Sequence, residues 1–317
     1  MKSVFITGVT GFVGSNLVRY LNNQLDIRLI GHCRNVTLAT PKFKGLRLEL
    51  VEEFNTEVLD KFKVDCIIHL AGIAHDLTGR YSRQDYEDIN HMMTVDIYNK
   101  FLNSKASSFI FVSSIKAAVD HASIPVSEQV VPTPVSDYGK SKRKAEAFIE
   151  NTTCPADKRY YIFRPSMIFG PENKGNLNLL YGFVKAGIPY PLGTFKNQRS
   201  FLYVDNLNFI IERFIRNAFP SGIYHLADSG SLSTVELVKT MAGIIKKRIF
   251  IWNFPQVIVN TVAYFGTLFR LPLNKQTLEK LTESLVVSNK KVIDVIGTQL
   301  PVKTEEGLRV TLNSFRG

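Results

Sequence analysis

A phenol and an ammonium stand four residues apart in Tyr138-Gly139-Lys140-Ser141-Lys142. On a helix that spacing puts both groups on one face. A tyrosine of reference pKa ~10 transfers protons poorly near neutrality, but an adjacent cation favours its phenolate and brings its proton-transfer pKa towards working pH. Hydride transfer at a carbinol carbon needs that chemistry. The pattern also arises by chance in a Lys-rich chain, so its surroundings decide its weight.

A second constellation lies near the start, in Thr7-Gly8-Val9-Thr10-Gly11-Phe12-Val13-Gly14. Glycine is needed where a backbone turns sharply, approaches a pyrophosphate, or packs a helix on a strand. The N-terminus of a helix beginning at such a turn then offers free N–H groups to phosphates. The turn follows a strand-like run and precedes a helix-like one, the context that a dinucleotide site requires. Such sites commonly carry an acid at the end of the second strand to bind the ribose 2′-hydroxyl. Here that strand ends Gly31-His32-Cys33-Arg34-Asn35, without an acid. The Arg34 guanidinium suits a 2′-phosphate, so the residues favour NADP(H), with NAD(H) as the alternative.

The elements that must position these groups follow a β-α-β rhythm. Apolar runs at Ser3 to Thr7, Ile27 to His32, Arg47 to Val51, Cys66 to Leu70, Phe109 to Ser113 and Arg159 to Phe163 read as strands buried on both faces. Helical periods cover Gly11 to Asn22, Gln84 to Ser104 and Asp137 to Glu150. The fold class is therefore α/β, a doubly wound parallel sheet. After Pro171 the rhythm changes, and a smaller C-terminal domain is expected from residues 171–199 and 229–317, with 1–170 and 200–228 forming the main sheet.

Composition narrows the function classes. The 317 residues carry 39 Lys+Arg against 28 Asp+Glu, a net charge of +11, with 45% apolar residues, which excludes a disordered tail or a disulfide-stapled module. Cys33, Cys66 and Cys154 are odd in number and far apart. They suggest neither a metal site nor a disulfide framework, but a reducing compartment, the cytoplasm. The first residues are too short and too soon broken by glycine for a signal peptide. No cluster of basic residues and aromatics is evident, so no nucleic-acid partner is expected. Ile249 to Leu273 is nearly uncharged but interrupted by Asn253, Pro255, Gln256 and Asn260. The uninterrupted part, Val257 to Phe269, is too short for the ~20 residues of a span, and the stretch reads as a buried helix or a partner-facing surface, with weak peripheral membrane contact as the minor alternative.

The order of motifs resembles the extended short-chain dehydrogenase/reductases, the NAD-dependent epimerase/dehydratase family. Glycine turn, His69-Leu70-Ala71-Gly72, Phe111-Val112-Ser113-Ser114 and the Tyr138/Lys142 pair come in the family's sequence. Tyr86-Glu87-Asp88-Ile89-Asn90, Arg164-Pro165-Ser166-Met167-Ile168-Phe169-Gly170-Pro171 and Arg199 to Asn206 match further along. The resemblance implies a Rossmann domain with a nucleotide-sugar-binding cap. It implies Tyr138 as acid/base, Lys142 on the nicotinamide ribose, and Ser114 on the reacting sugar oxygen, with Ser113 as runner-up. It places Leu70, Ala71, Gly72, Asn90, Ser113, Pro165 and Ile168 along the cofactor. Asn176, Pro191, Leu192 and Arg199 would meet a UDP-sugar, and Lys116 would reach the sugar or face solvent. His75 and His225 would be structural.

Reaction type is only partly separable. In that family a 4,6-dehydratase carries an Asp-Glu pair after the position of Ser114, where this chain has Ile115-Lys116. Ser113 to Lys116, Gly175-Asn176-Leu177 and Pro189 to Gly193 resemble the bacterial subgroup that reduces UDP-2-acetamido-2,6-dideoxy-4-hexulose to UDP-N-acetylquinovosamine for surface polysaccharide. The reading is an NADPH-dependent 4-ketoreductase, with an NAD-dependent UDP-hexose 4-epimerase as alternative and a non-catalytic NAD(P)-binding regulator more remote. Resemblance also implies a homodimer through Gln84 to Ser104 and Asp137 to Glu150.

Overall fold

β-branched and aromatic runs form the strands that their composition predicts. The computed structural model describes residues 1–74, 80–173, 176–269 and 274–315. In chain order its strands are β1 Lys2–Thr7, β2 Ile27–His32, β3 Leu48–Val51, β4 Cys66–His69, β5 Ser108–Val112, β6 Ala122–Val126, β7 Arg159–Pro165, β8 Met167–Phe169, β9 Phe201–Tyr203, β10 Gly222–Leu226 and β11 Leu285–Val287. Seven of them make one sheet in the order β10-β7-β5-β4-β1-β2-β3. Every pairing in that sheet is parallel.

Strand alternation sends successive side chains to opposite faces, and both faces are covered. Val4 and Ile6 of β1 join Leu17, Val18 and Leu21 of the helix Phe12–Leu21 and Leu207, Ile210 and Phe214 of the helix Val204–Arg216. Phe5, between them, joins Tyr98, Phe101 and Ile149 on the other face. The chain reverses its winding between β1 and β4, opening a crevice at the C-terminal ends of those two strands.

Of residues 200–228, expected in the larger unit, the helix Val204–Arg216 packs in the first core cluster and β10 pairs in the main sheet, but β9 does not. β9 pairs instead with β8 in a separate two-stranded parallel sheet, because the chain leaves the main sheet at Ser166, whose N–H bonds Leu226 O. A third cluster, around Leu177, Tyr181, Tyr190, Leu192, Phe201, Leu237 and Met241, forms the core of the smaller unit. Residues 285–296, expected in that unit, run back to the larger one. β11 pairs with β6, and Val292 and Ile296 pack in the first core cluster.

The long helix expected over Gln84 to Ser104 is interrupted: α-helical Arg83–Tyr86 and Met93–Asn103 flank a π-helical Glu87–Met92. Such bulges often sit at functional sites. Among the described residues, no helix is long and apolar enough to cross a membrane.

Candidate active site

Gly8 turns the chain out of β1 at φ +70°, and a Cβ there would lie 2.6 Å from Ala71 N, so only glycine lets the β1 and β4 ends meet. Gly11 begins the helix Phe12–Leu21 without a side-chain cap. The first N–H groups of that helix therefore point into the crevice unpaired by the helix. Thr10 lies exposed in the turn, and Lys42 Nζ donates to its carbonyl at 2.8 Å. Phe12 and Val13 are half-buried, and Gly14 is buried beneath the turn. Arg34 is exposed just beyond β2, in a loop held by the Glu52 carboxylate, which accepts from Val36 N at 2.6 Å. Lys42 is a cation at this end of the crevice that sequence reading missed.

The catalytic helix Asp137–Asn151 starts at Ser136, whose hydroxyl accepts from Gly139 N at 3.2 Å. A Cβ on Gly139 would meet Lys116 O at 2.3 Å. That close approach sets Tyr138 beside the turn that follows β5. There Ser114 hydrogen-bonds the half-buried phenol. Burial pushes the Tyr138 pKa up, and the Ser114 hydrogen bond draws it partly back. Lys142 is buried one turn on, its Nζ donating to Val112 O at 3.2 Å and 4.8 Å from the Phe111 ring centroid. Burial lowers its pKa to about 8, and the charge of Glu146 opposes the drop. Tyr86 packs edge-on against Tyr138, ring centroids 6.1 Å apart. Ser114 and Tyr138 meet, while the Lys142 ammonium lies against Val112 O and the Phe111 ring, and burial rather than an adjacent cation governs the phenol, contrary to the lowering that the spacing predicts.

Ser113 does not join them. Strand alternation turns it under the helix, where its hydroxyl donates to Glu146 at 2.6 Å. Glu146, which sequence reading also missed, is fully buried and takes both Nε (2.9 Å) and Nη2 (2.6 Å) of Arg164. Asn90 corrects another expectation. Its buried amide accepts from Ile73 N at 2.8 Å and donates to Ile73 O and Ser141, so it clamps the loop after β4 to the catalytic helix. A Cβ on Gly72 would lie 2.8 Å from Asn90 Oδ1 and 3.3 Å from Lys142 Nζ. Leu70 and Ala71 lie half-buried between Gly72 and β4. Pro165 and Ile168 flank Ser166, whose buried Oγ has no hydrogen-bond partner. The uncapped helix, the glycine crevice and this orphaned hydroxyl all fit a dinucleotide.

Lys116 neither points freely to a sugar nor faces solvent. It bonds Asp120 O at 2.9 Å and the Glu283 carboxylate at 3.2 Å. Arg199 reaches the same residue, Nε donating to Glu283 O at 3.0 Å with Nη2 3.9 Å from the carboxylate. Glu283 thus gathers two of the expected substrate cations at the seam between the two units. No sequence pattern marks it. Leu192 is buried in the smaller core, so only its backbone can face a ligand, while Pro191 is half-buried. Asn176 opens the helix Asn176–Lys185, but its side chain, like His75 and Gly175, lies outside the described residues. His69, between Thr7 and Thr94, is held neutral by burial at about 3, and buried His225 likewise at about 4.

A parallel sheet with a glycine crevice at its switch point, and a Tyr/Lys pair at the crevice mouth, define a nucleotide-dependent oxidoreductase. The profile of the NAD dependent epimerase/dehydratase family matches residues 4–227, and the chain belongs to that family. It is an enzyme of the extended short-chain dehydrogenase/reductase type, whose relatives are nucleotide-sugar epimerases, dehydratases and reductases. One relative, a UDP-glucose 4-epimerase of Vibrio cholerae, is 29% identical over 99% of this chain and 95% of its own length. The fold matches the Thermotoga maritima UDP-glucose 4-epimerase structure with UDP-glucose at a TM-score of 0.77, with 18% identity, covering 99% of this chain and 98% of that one. It also matches a Bacillus cereus UDP-glucuronic acid 4-epimerase in complex with NAD at 0.76, with 18% identity, over 99% and 98%.

Proposed function

We propose that this enzyme reduces the C4 ketone of a UDP-4-keto-6-deoxy-hexosamine, with NADPH, in the synthesis of a bacterial surface-polysaccharide precursor. The observation that carries the reading is Tyr138, half-buried with a raised pKa and held by Ser114. Such a phenol keeps its proton at neutral pH, as the acid of a reduction must. A dihydronicotinamide held in the glycine crevice would supply the hydride that the reduction needs. Tyr138 Oη gives its proton to the C4 oxygen, Ser114 orients that oxygen, and the Lys142 ammonium stabilises the phenolate left behind. Solvent then returns a proton to Tyr138. Ile115, buried where a dehydratase would need a proton-transferring group, supports reduction without elimination. Arg199 and Lys116 would turn from Glu283 to the diphosphate of the substrate. A homodimer through the helices around Glu87–Asn103 and Asp137–Asn151 belongs to this reading.

The names of the Vibrio, Thermotoga and Bacillus proteins favour a second reading, a UDP-sugar 4-epimerase with retained NAD. Incubation with the 4-keto sugar nucleotide and NADPH, against UDP-glucose or UDP-N-acetylglucosamine alone, separates the two. NADPH oxidation with the first supports reduction. Interconversion of C4 isomers in the second, without net oxidation, replaces it with epimerisation.

Cofactor choice is tested at Arg34. A charge-assisted bond to a 2′-phosphate is worth about 1.5–3 kcal/mol, so Arg34→Ala should raise the Kd for NADPH about 10- to 100-fold and leave that for NADH unchanged. Equal losses for both cofactors, in a fluorescence titration, would remove Arg34 from the 2′ position.

The pH profile follows from Lys142. Its ammonium form is the useful one, and a pKa lowered to about 8 means that the proton is lost earlier than from a free lysine. We expect kcat/KM to fall about tenfold per pH unit above that value. A profile flat to pH ~10 would contradict this.

A further inference from the structure

The helix Gln256–Leu268 carries no charged residue and buries only Val259, Ala263 and Gly266. The buried-helix expectation for this stretch is therefore overturned. Val257, Ile258, Val262, Tyr264, Phe265 and Leu268 point outward, with Tyr264 63% and Leu268 66% exposed. In the segment before it, Phe250, Trp252 and Phe254 are also exposed. Of the 22 large apolar side chains exposed among the described residues, ten lie between Phe250 and Phe269. So dense a patch marks an interaction surface.

The charges that this stretch of chain carries are of one sign, the nearest acids in sequence being Glu236 before it and Glu279, exposed on the neighbouring helix Lys275–Thr282, after it. From Leu237 to Leu278 the sequence has no Asp or Glu in 42 residues, but has Lys239, Lys246, Lys247, Arg248, Arg270 and Lys275. Lys246, Lys247 and Arg248 are exposed immediately before Phe250, and Lys275 beyond the far end of the helix. Basic residues and aromatics do gather here, contrary to the sequence expectation. A second copy docking through this face would bring one cationic rim against another. Nucleic acid would use the aromatics but leave the outward valines, isoleucine and leucine without a stacking partner.

We propose that this face docks the enzyme on an anionic phospholipid bilayer, the helix lying in the plane of the interface. A helix of 13 residues, about 20 Å long, with apolar side chains outward and a basic rim has the make-up of an interfacial anchor. Trp252 and Tyr264 are residues that favour the headgroup level. The face is continuous with the segment around Pro191 and Leu192 that is expected to meet the UDP-sugar, since Tyr190 bridges Ile251, Leu192 bridges Asn253, and Thr194 Oγ1 donates to Phe254 O at 2.7 Å. Docking would thus hold the substrate side of the smaller unit near the membrane. The inference does not depend on which reaction the active site performs.

Flotation of the full chain with phosphatidylglycerol/phosphatidylcholine vesicles tests it, with pure phosphatidylcholine vesicles as the comparison. Binding should appear on the anionic vesicles at low salt and fall at high salt. At about fivefold per basic residue, neutralising Lys246, Lys247 and Arg248 to Gln should lower partition by on the order of 100-fold. Phe265→Gln with Leu268→Gln should also release the protein. Leu25→Gln with Leu38→Gln, which alters exposed apolar residues elsewhere, should bind as wild type. Failure to float at low salt overturns the proposal, as does equal binding to neutral vesicles. So does binding to single-stranded RNA without vesicle binding, or a dimer in sedimentation velocity that Phe265→Gln/Leu268→Gln dissolves.

Discussion

Tyr138→Phe should lower kcat about 10²- to 10⁴-fold and leave the affinity for UDP nearly unchanged. The substitution removes one oxygen and keeps the ring, so the edge-on packing against Tyr86 survives. What disappears is the group that protonates the C4 oxygen, an interaction made in the transition state. Ser114 cannot take over, because a serine hydroxyl does not ionise usefully near neutrality and here it serves the phenol and the Lys116 N–H. Lys142 cannot either, since its Nζ lies against Val112 O. Single-turnover oxidation of NADPH measures the chemical step, and calorimetric titration with UDP measures binding. A variant with a wild-type single-turnover rate would take Tyr138 out of the mechanism. A variant that has lost UDP binding as well would show a positioning role instead.

The parts of this site that could be read in the sequence are those governed by local rules. Gly8 needs a positive φ and a close approach, and such a requirement leaves a glycine in a fixed place between strand and helix. Tyr138 and Lys142 share a helix face, which spacing alone determines. Ser114 could be preferred over Ser113 because strand residues alternate, and the structure turns them to Tyr138 and Glu146 respectively. The missed residues act over long sequence distances. Glu283 meets Lys116 across 167 positions, and Lys42 meets Thr10 across 32. No periodicity announces such a partner. For Ile249 to Leu273 the choice between a buried helix and a partner-facing surface stays open in the sequence for another reason: apolar content shows that a face seeks cover, but not whether the fold supplies it.

Glu146→Leu should destabilise the protein by about 3–5 kcal/mol, lowering Tm by on the order of 10 °C, because it strands a fully buried guanidinium. Arg164 is within the sheet, with Glu146 as its bidentate partner and, among the described residues, His225 Nε2 as its one other side-chain hydrogen-bond contact, at 3.4 Å. Replacing both members, Glu146→Leu with Arg164→Met, removes the unpaired charge and should recover most of the loss. The Ser113 hydroxyl still loses its acceptor, which leaves about 1–3 kcal/mol unrecovered. A second consequence concerns chemistry. Glu146 supplies the charge that raises the Lys142 pKa against burial. Without that charge the ammonium loses its proton at a lower pH, so in the refolded double variant the alkaline limb of kcat/KM should move below the wild-type value of about 8. Thermal denaturation and a pH–rate profile on the same pair of variants separate the two roles. Recovered stability with a shifted limb makes Glu146 a positioning residue that keeps Lys142 charged. Recovered stability with an unmoved limb would confine the pair to holding the catalytic helix on the sheet.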